Sequence, residues 1–355
     1  MKILKISLKN KSYDIYIDRN IVTSIGKYIR KIYSGKKIAV VTDSNVDKLY
    51  SNILIDSLSK EGFETSKLVI KAGERSKNLD TLKDIYKYFC ESRIRRSDII
   101  IALGGGVVGD ITGFAASTYL RGVKYIQVPT TLLAQIDSSI GGKVAVDLTF
   151  GKNLVGNFYH PEAVFIDPEI LNSLNSKFFN DGMGEVIKYG LINDKNFVQK
   201  LMNYKDKDEL LCNIEEIIYT CCSVKKEIVQ MDEFDTGERM KLNFGHTFGH
   251  AVEKIFNYEK YTHGECVALG MAYITERSEK RGYTKKGTYE TIRRILNKYN
   301  LPCEMPEVDK RLLFEAITLD KKTQFDIINL ILLKEIGKAN IVKLKLQELK
   351  NYIDI

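Results

Sequence analysis

Four histidines occur in this chain, and three of them, His246, His250 and His263, fall within 18 residues. In the segment NFGHTFGHAVEK, His246 and His250 are spaced i, i+4, so on a helix both rings project from one face. Imidazole nitrogen is a preferred zinc ligand, and a catalytic zinc commonly takes three protein ligands while keeping a position for water or substrate. The third ligand must be a carboxylate or the remaining histidine. Glu185 in GMGEVIKYG is attractive, because the glycines on either side permit close approach. No Glu follows His246 directly, which excludes the H-E-x-x-H peptidase arrangement.

A second constellation is Gly104-Gly105-Gly106-Val107-Val108-Gly109, a G-x-G-x-x-G run directly after the apolar segment DIIIAL and before a helix-like ITGFAAS. Lacking β-carbons, such a turn lets the backbone approach a pyrophosphate, and the helix N-terminus supplies unpaired N–H groups and positive dipole. Asp110 stands where an anion would be repelled, so it caps the helix or meets a ribose or substrate hydroxyl. A ribose-binding acid is expected about 20 residues further on, but position 129 is a proline. Asp43 in VVTDSN, at the carboxyl end of an earlier strand, is the better candidate. No G-x-x-x-x-G-K-[ST] occurs, since Lys143 and Lys152 follow glycine but precede Val and Asn. Kinase-like ATP chemistry of the P-loop kind is therefore not expected.

These groups need elements to hold them. IAVVTD (38–43), KLVI (67–70), DIIIAL (98–103) and KYIQVP (124–129) are short apolar runs between helix-like stretches, the alternation of a parallel sheet. After about residue 172 the texture turns to helical periods, including 206–230, 246–257 and 265–281, with few strand candidates until ILLKEIGKANIVK. The expectation is an α/β, Rossmann-like N-terminal domain over 1–172 that carries the nucleotide turn, and a mainly α-helical C-terminal domain over 173–355 that carries the metal candidates. Neither internal repeat nor linker is visible.

The formal net charge of +8 comes from lysines spread along the chain, often beside Asp or Glu. Without a basic block this argues for an anionic small molecule over nucleic acid. The N-terminal segment alternates polar and apolar residues and has no signal-peptide core, and the longest apolar stretch, 99–116, holds five glycines and Asp110. No membrane span is expected. Six cysteines without regular spacing, two of them adjacent at Cys221 and Cys222, fit a reducing cytoplasm better than a disulfide framework.

Taken together, the segments VVTDSNV, AGERSKN, GGGVVGDITGFAASTYLRG, VPTTLLAQIDSSIGGKVAVD, GKNLVGNF, GMGEVIKYG, LNFGHTFGHAVE, HGECVALGM and a late DKK resemble 3-dehydroquinate synthase, of the sugar phosphate cyclases, over nearly the whole chain. The resemblance implies a bound NAD and one divalent metal, zinc or cobalt, ligated by Glu185, His246 and His263, with His250 meeting substrate. It implies NAD contacts at Asp43, Glu74, Lys77, Gly104, Gly105, Gly106, Val107, Asp110, Thr130 and Thr131, at Lys143 and Lys152, and around Leu171, Asn172 and Ser173. Substrate would meet Arg121, Asp137, Lys143, Lys152, Asn153, Lys188, Lys225, Arg239, Asn243, His250 and Lys322. Of these groups Lys143, Lys152, Asn153, Glu185, Lys188, Arg239 and His250 would serve catalysis. A sugar acid bearing phosphate and carboxylate needs such a set, with Arg suited to bidentate recognition and Lys to a point charge.

The activity so implied is a phosphorus–oxygen lyase of the shikimate pathway, on the route to chorismate and the aromatic amino acids. It converts 3-deoxy-D-arabino-heptulosonate 7-phosphate to 3-dehydroquinate and phosphate by oxidation, phosphate elimination, reduction, ring opening and aldol closure. A cytoplasmic homodimer is the implied setting, with Arg121 serving the neighbouring subunit. Two departures stand out: His160 in NFYHP where the family usually has Gln, and Asp235 in DEFDTG where Glu is usual. The alternatives are another sugar phosphate cyclase or a glycerol-1-phosphate-type NAD dehydrogenase, and the Lys143, Lys152-Asn153 and Arg239 set favours the dehydroquinate reading.

Overall fold

The computed structural model describes residues 1–320 and 327–353, and the chain divides into two compact units. The first comprises Met1–Leu174 with Ile214–Gln230, and the second Asn175–Asn213 with Met231–Ile355.

In chain order the first unit contains β1 (Lys2–Ser7), β2 (Ser12–Ile17), α1 (Ile25–Ile32), β3 (Lys37–Asp43), α2 (Asn52–Lys60), β4 (Glu64–Ile70), α3 (Leu79–Glu91), β5 (Ile99–Gly104), α4 (Gly106–Thr118), β6 (Lys124–Pro129), β7 (Lys143–Leu148), β8 (Gly151–Phe158) and β9 (Ala163–Ile166). Seven strands form one sheet in the order β1-β2-β9-β6-β5-β3-β4, parallel throughout except that β1 joins the edge antiparallel to β2. The N-terminal alternation is thus a hairpin, which the sequence reading left unassigned.

Every residue of β5 is buried, as expected of a strand covered on both faces. Its period of two sends Ile99, Ile101 and Leu103 to one face, with Leu54, Leu58, Ile25 and Ile29 of α1 and α2. Ile100 and Ala102 face the other side, with Ile85 and Phe89 of α3 and Ile111 and Ala115 of α4. The hairpin β7–β8 buries Val144 and Val146 in that second cluster. This explains why α4 is apolar nearly all round. The carboxyl ends of β3 and β5 lie side by side where the strand order reverses, since β4 pairs with one edge of β3 and β5 with the other. Such a switch point is where open parallel sheets bind ligands.

The second unit contains α5 (Ser176–Asn193), α6 (Lys195–Asn203), α7 (Lys207–Cys212), α9 (His246–Ile255), α10 (His263–Lys280), α11 (Thr288–Lys298), α12 (Lys310–Asp320), the hairpin β10 (Ile327–Glu335) and β11 (Lys338–Lys345), and α13 (Leu346–Ile353). Between α7 and α9, helix α8 (Ile214–Met231) belongs almost wholly to the first unit. The helical stretch expected over 206–230 therefore breaks at Asn213, whose side-chain amide donates to the Glu209 carbonyl at 2.9 Å. The expected boundary at 172/173 falls close to the first break, but 214–230 crosses back. It does so because α8 buries Ile217, Ile218 and Cys221, while its Cys222 Sγ donates to the Gln135 carbonyl at 3.4 Å and Lys225 pairs with Asp137. All six cysteines are free thiols. Among the described residues no helix is long and apolar enough to cross a membrane.

Candidate metal and nucleotide sites

Glu185 sits in α5, His246 opens α9 and His263 opens α10. One ligand atom from each lies within 4.8 Å of the others. Glu185 Oε1 is 3.6 Å from His246 Nε2 and also 3.6 Å from His263 Nε2. These separations exceed a hydrogen bond. They approach the edge of a tetrahedron with metal–ligand bonds of about 2.0–2.1 Å, which is about 3.4 Å. The donor set of two imidazoles and a carboxylate suits zinc or cobalt, so residues and group fit.

The other nitrogen of each ring is already engaged. His246 Nδ1 donates to the Phe244 carbonyl at 3.2 Å, and His263 Nδ1 to Glu253 Oε1 at 3.1 Å. Both rings are thereby held with Nε2 turned toward Glu185. Burial, aided by the nearby Lys188 ammonium, keeps His246 well below the ordinary imidazole range. Burial acts the same way on His263, but Glu253 and Glu185 outweigh it and raise its affinity for a proton well above that range. Lys188, one turn beyond Glu185 and equally buried, is ion-paired with it.

Close helix packing brings these groups together. A β-carbon on Gly264 would meet the Asp181 carbonyl oxygen at 1.9 Å, and one on Gly249 the Cys266 carbonyl at 2.8 Å. Only glycine lets α5, α9 and α10 approach so far. Asp181 fixes the start of α10 by accepting the Gly264 N–H at 2.5 Å, and Thr262 with Glu265 forms a capping box there. His250 lies beside the cluster, its ring centroid 5.2 Å from that of His246 and 6.0 Å from that of His263.

In the first unit Gly104 ends β5, Gly105 is the N-cap of α4 and no side chain caps that helix. A β-carbon on Gly105 would have the Thr131 side chain as its nearest neighbour, at 3.0 Å, and one on Gly106 would meet only the Ser138 side chain, at 3.1 Å or more. The space over the turn is a cradle that a side chain would fill. Thr130, whose N–H donates to the Gly104 carbonyl, has a buried hydroxyl with no hydrogen-bond partner among the described residues. Uncapped N–H groups, a cleared cradle and an orphan hydroxyl together fit a nucleotide pyrophosphate. Asp43 ends β3 and accepts the N–H groups of Asn45 and Val46 through one oxygen at 2.8 and 3.1 Å. Ser173 Oγ is 2.6 Å from the Tyr50 hydroxyl, and Asn172 donates to Glu169.

The buried Lys77 ammonium donates to Asp110 Oδ2 and to Asn153 Oδ1, both at 2.5 Å. Burial acts to discharge this lysine, but Asp110, Glu74 and Asp147 more than compensate and raise its pKa. Burial likewise pushes the Asp110 carboxyl up, against the pull of Lys77. Asp147 accepts the Asn153 N–H at 2.8 Å, holding Asn153 at φ +56°, and Lys152 pairs with Glu74 at 3.5 Å.

Residues 67–181 match the family profile described as 3-dehydroquinate synthase N-terminal, and 182–323 the one described as 3-dehydroquinate synthase C-terminal. A curated 3-dehydroquinate synthase of Clostridium kluyveri is 57% identical over 353 residues, covering 99% of this chain and 98% of that protein. The chain belongs to the 3-dehydroquinate synthase family. Among solved structures, 2-deoxy-scyllo-inosose synthase complexed with carbaglucose-6-phosphate, NAD+ and Co2+ superposes with a TM-score of 0.86 at 26% identity, covering 99% of both chains. The 2-epi-5-epi-valiolone synthase of Streptomyces hygroscopicus, with NAD+ and Zn2+ bound, gives 0.88 at 25% identity over 98% of this chain and 97% of that one.

For a 3-dehydroquinate synthase family member, the substrate candidates fall in both units. Arg121, Asp137, Lys143, Lys152, Asn153 and Lys225 belong to the first, and Lys188, Arg239, Asn243 and His250 to the second. Lys225 Nζ donates to the carbonyl and carboxylate of Asp137, each at 2.7 Å. Arg121 is exposed at φ +62°. Buried Arg239 donates to the Glu233 carbonyl at 2.5 Å. Lys322 lies outside the described residues. His160 packs beside Tyr13 and under Gly142, next to Lys143 in the chain.

Three supporting carboxylates escaped the sequence reading: Glu253, Asp181 and Asp147. Two of them left a signal. His246, His250 and Glu253 run i, i+4, i+7 along α9, and Asp181, Glu185 and Lys188 run i, i+4, i+7 along α5, so each trio shares one helical face. Asp147 left none, because its role depends on the pairing of β7 with β8.

Proposed function

We propose that this chain converts 3-deoxy-D-arabino-heptulosonate 7-phosphate to 3-dehydroquinate and phosphate, as an NAD- and divalent-metal-dependent lyase with no net redox change. The observation that carries the reading is the convergence of Glu185, His246 and His263 on one point in a chain of this family. NAD in the glycine cradle supplies a hydride acceptor that is regenerated in each turnover, and the cation a Lewis acid for the substrate's vicinal hydroxyls.

The chain's own residues do the rest. The backbone N–H groups of Gly105, Gly106 and Val107 hold the pyrophosphate, with the Thr130 hydroxyl beside them. Lys143, Lys152, Lys188, Lys225 and Arg239 bind the substrate's phosphate and carboxylate, and Asn153 and Asn243 its hydroxyls. His250 holds a hydroxyl next to the metal ligands. Asp137 holds the Lys225 side chain by two hydrogen bonds, and Lys77 keeps Asp110 and Asn153 in place. Positioning of this kind lowers the barrier of the intramolecular steps without dedicated acid–base machinery. We place the enzyme in the cytoplasm as a homodimer in which exposed Arg121 reaches the neighbouring subunit's site.

Phosphate release from the heptulosonate phosphate with catalytic NAD, measured with and without chelator, tests the proposal. Release without NADH accumulation is expected, and NADH accumulation would turn the reading into a dehydrogenase. Glu185→Gln should lose metal and at least about 100-fold of activity, beyond what removing a mere supporting partner produces. A variant with full metal occupancy and unaltered turnover would refute the ligand assignment.

A further inference from the structure

We infer that Glu253 is a positioning residue for the metal centre, setting both the tautomer of His263 and the charge around the cation; the inference rests on the proposed ligand set. His263 stands between two carboxylates, with Glu185 Oε1 at 3.6 Å from Nε2 and Glu253 Oε1 at 3.1 Å from Nδ1. The shorter contact is a hydrogen bond, and an ionised carboxylate can only accept. Nδ1 therefore carries a proton, and Nε2 is the nitrogen left to offer a lone pair to a cation.

His250, Glu253 and His263 could also be read as a cation set of their own. That reading needs His263 Nδ1 to be deprotonated toward the ion, which conflicts with a 3.1 Å contact that a hydrogen bond to Glu253 already accounts for without any cation. The hydrogen-bonded arrangement removes the conflict.

The two histidines are supported unequally. His246 Nδ1 meets a neutral carbonyl, Phe244, whereas His263 Nδ1 meets a full negative charge. Charge balance accounts for the difference. Glu185 is already ion-paired with the buried Lys188, so one of the two charges opposing a dication is shared with an ammonium. Glu253, 6% exposed, returns the missing negative charge through the ring of His263. Carboxylate–histidine–metal relays of this kind raise the basicity of the ligand.

The test is metal affinity of the full chain by competition with a chromogenic chelator, using zinc or cobalt, together with metal stoichiometry by mass spectrometry. Wild type should bind one ion. Glu253→Ala should bind one ion with affinity about 10–100-fold weaker. Glu253→Gln, whose amide carbonyl still accepts the Nδ1–H, should lie between the two. Nitrogen NMR should find His263 Nδ1 protonated and hydrogen-bonded in wild-type apoprotein and in Glu253→Gln, and that hydrogen bond lost in Glu253→Ala. Wild-type affinity in both variants would overturn the inference. So would a wild type binding two ions and a Glu253→Gln binding one, which would make Glu253 a ligand. Should the alanine variant fail to fold, the near-isosteric glutamine decides by its affinity alone. A wild type that binds no ion would remove the ligand set beneath the inference, an outcome distinct from unaltered affinity in the variants.

Discussion

Glycine serves different ends in the two units. Around the metal candidates, Gly264, Gly249 and Gly270 are needed because backbone carbonyls of neighbouring segments lie where their β-carbons would be, at 1.9, 2.8 and 1.9 Å. Over the nucleotide turn, the nearest obstacles to a β-carbon on Gly105 or Gly106 are side-chain atoms at 3.0 and 3.1 Å. Neither of these residues has a positive φ. The first set builds the protein, and the second leaves open the space proposed for the pyrophosphate. A motif of glycines thus does not announce its purpose; what lies opposite the missing side chain does.

Substitution of Gly264 should give the largest effect. A methyl there must displace the Asp181 backbone, which cannot yield as a flexible side chain would, so Gly264→Ala should cost about 3 kcal/mol or more, the upper end of overpacking penalties. It should also lower metal occupancy, because His263 is the adjacent residue. Gly106→Ala makes the matching probe in the first unit. Its stability should stay within about 1 kcal/mol, since alanine is the better helix former. Its NAD affinity should fall by more than tenfold, about 1.4 kcal/mol. Denaturant midpoints and nucleotide titrations of the two variants would break the comparison if both lost stability equally.

The polar groups differ as well. The metal candidates face one another at distances that hydrogen bonding does not explain, whereas the nucleotide side is knitted together by Lys77. Lys77→Met would leave Asp110 buried without its ammonium. A cost of about 2 kcal/mol is expected, below the roughly 3–5 kcal/mol of a fully enclosed pair because Asp110 keeps some solvent contact. Burial, with Glu74 and Asp147 beside it, then favours the proton on Asp110. A carboxyl with a raised folded pKa destabilises above its ordinary range and ceases to do so as the pH falls through it. The penalty of Lys77→Met should therefore shrink on acidification, as urea titrations at neutral pH and near pH 4 would record. A pH-independent penalty would assign the role of Lys77 to packing.

Periodicity made the strands of the first unit legible to within a few residues, because β3, β5 and β6 are covered on both faces and carry uninterrupted apolar runs. The same device failed at β1–β2, whose alternating pattern reads equally as a half-exposed hairpin or as nothing regular. It failed at β7–β8, where Asn153 and Gly156 interrupt any strand pattern and pairing alone makes the hairpin. The histidine candidates stood out by rarity of type. Their supporting carboxylates did not, since the chain holds 46 acidic residues and only contact tells Glu253 from its peers. Assignment of 214–230 to the first unit was invisible for a related reason: an amphipathic helix declares which face it buries, not what covers that face.

The smallest effect concerns the loop that carries Arg239 in the second unit, where a partly exposed carboxylate organises backbone. Asp232 accepts the N–H groups of Thr236, Gly237 and Arg239 at 3.0, 2.7 and 3.1 Å. Burial pushes its pKa up, but these three donors and the Thr236 hydroxyl together outweigh it, so the net shift is downward from 3.8. A lowered folded pKa contributes stability above the ordinary value that is lost as the pH falls below it. Solvent screening limits this to about 1 kcal/mol at most. Asp232→Asn keeps one acceptor and removes the charge, so the difference between wild type and variant should be present at neutral pH and vanish by about pH 3. Were the difference unchanged across that range, loop order would come from the amide-compatible hydrogen bond, and the charge of Asp232 would play no part in holding Arg239.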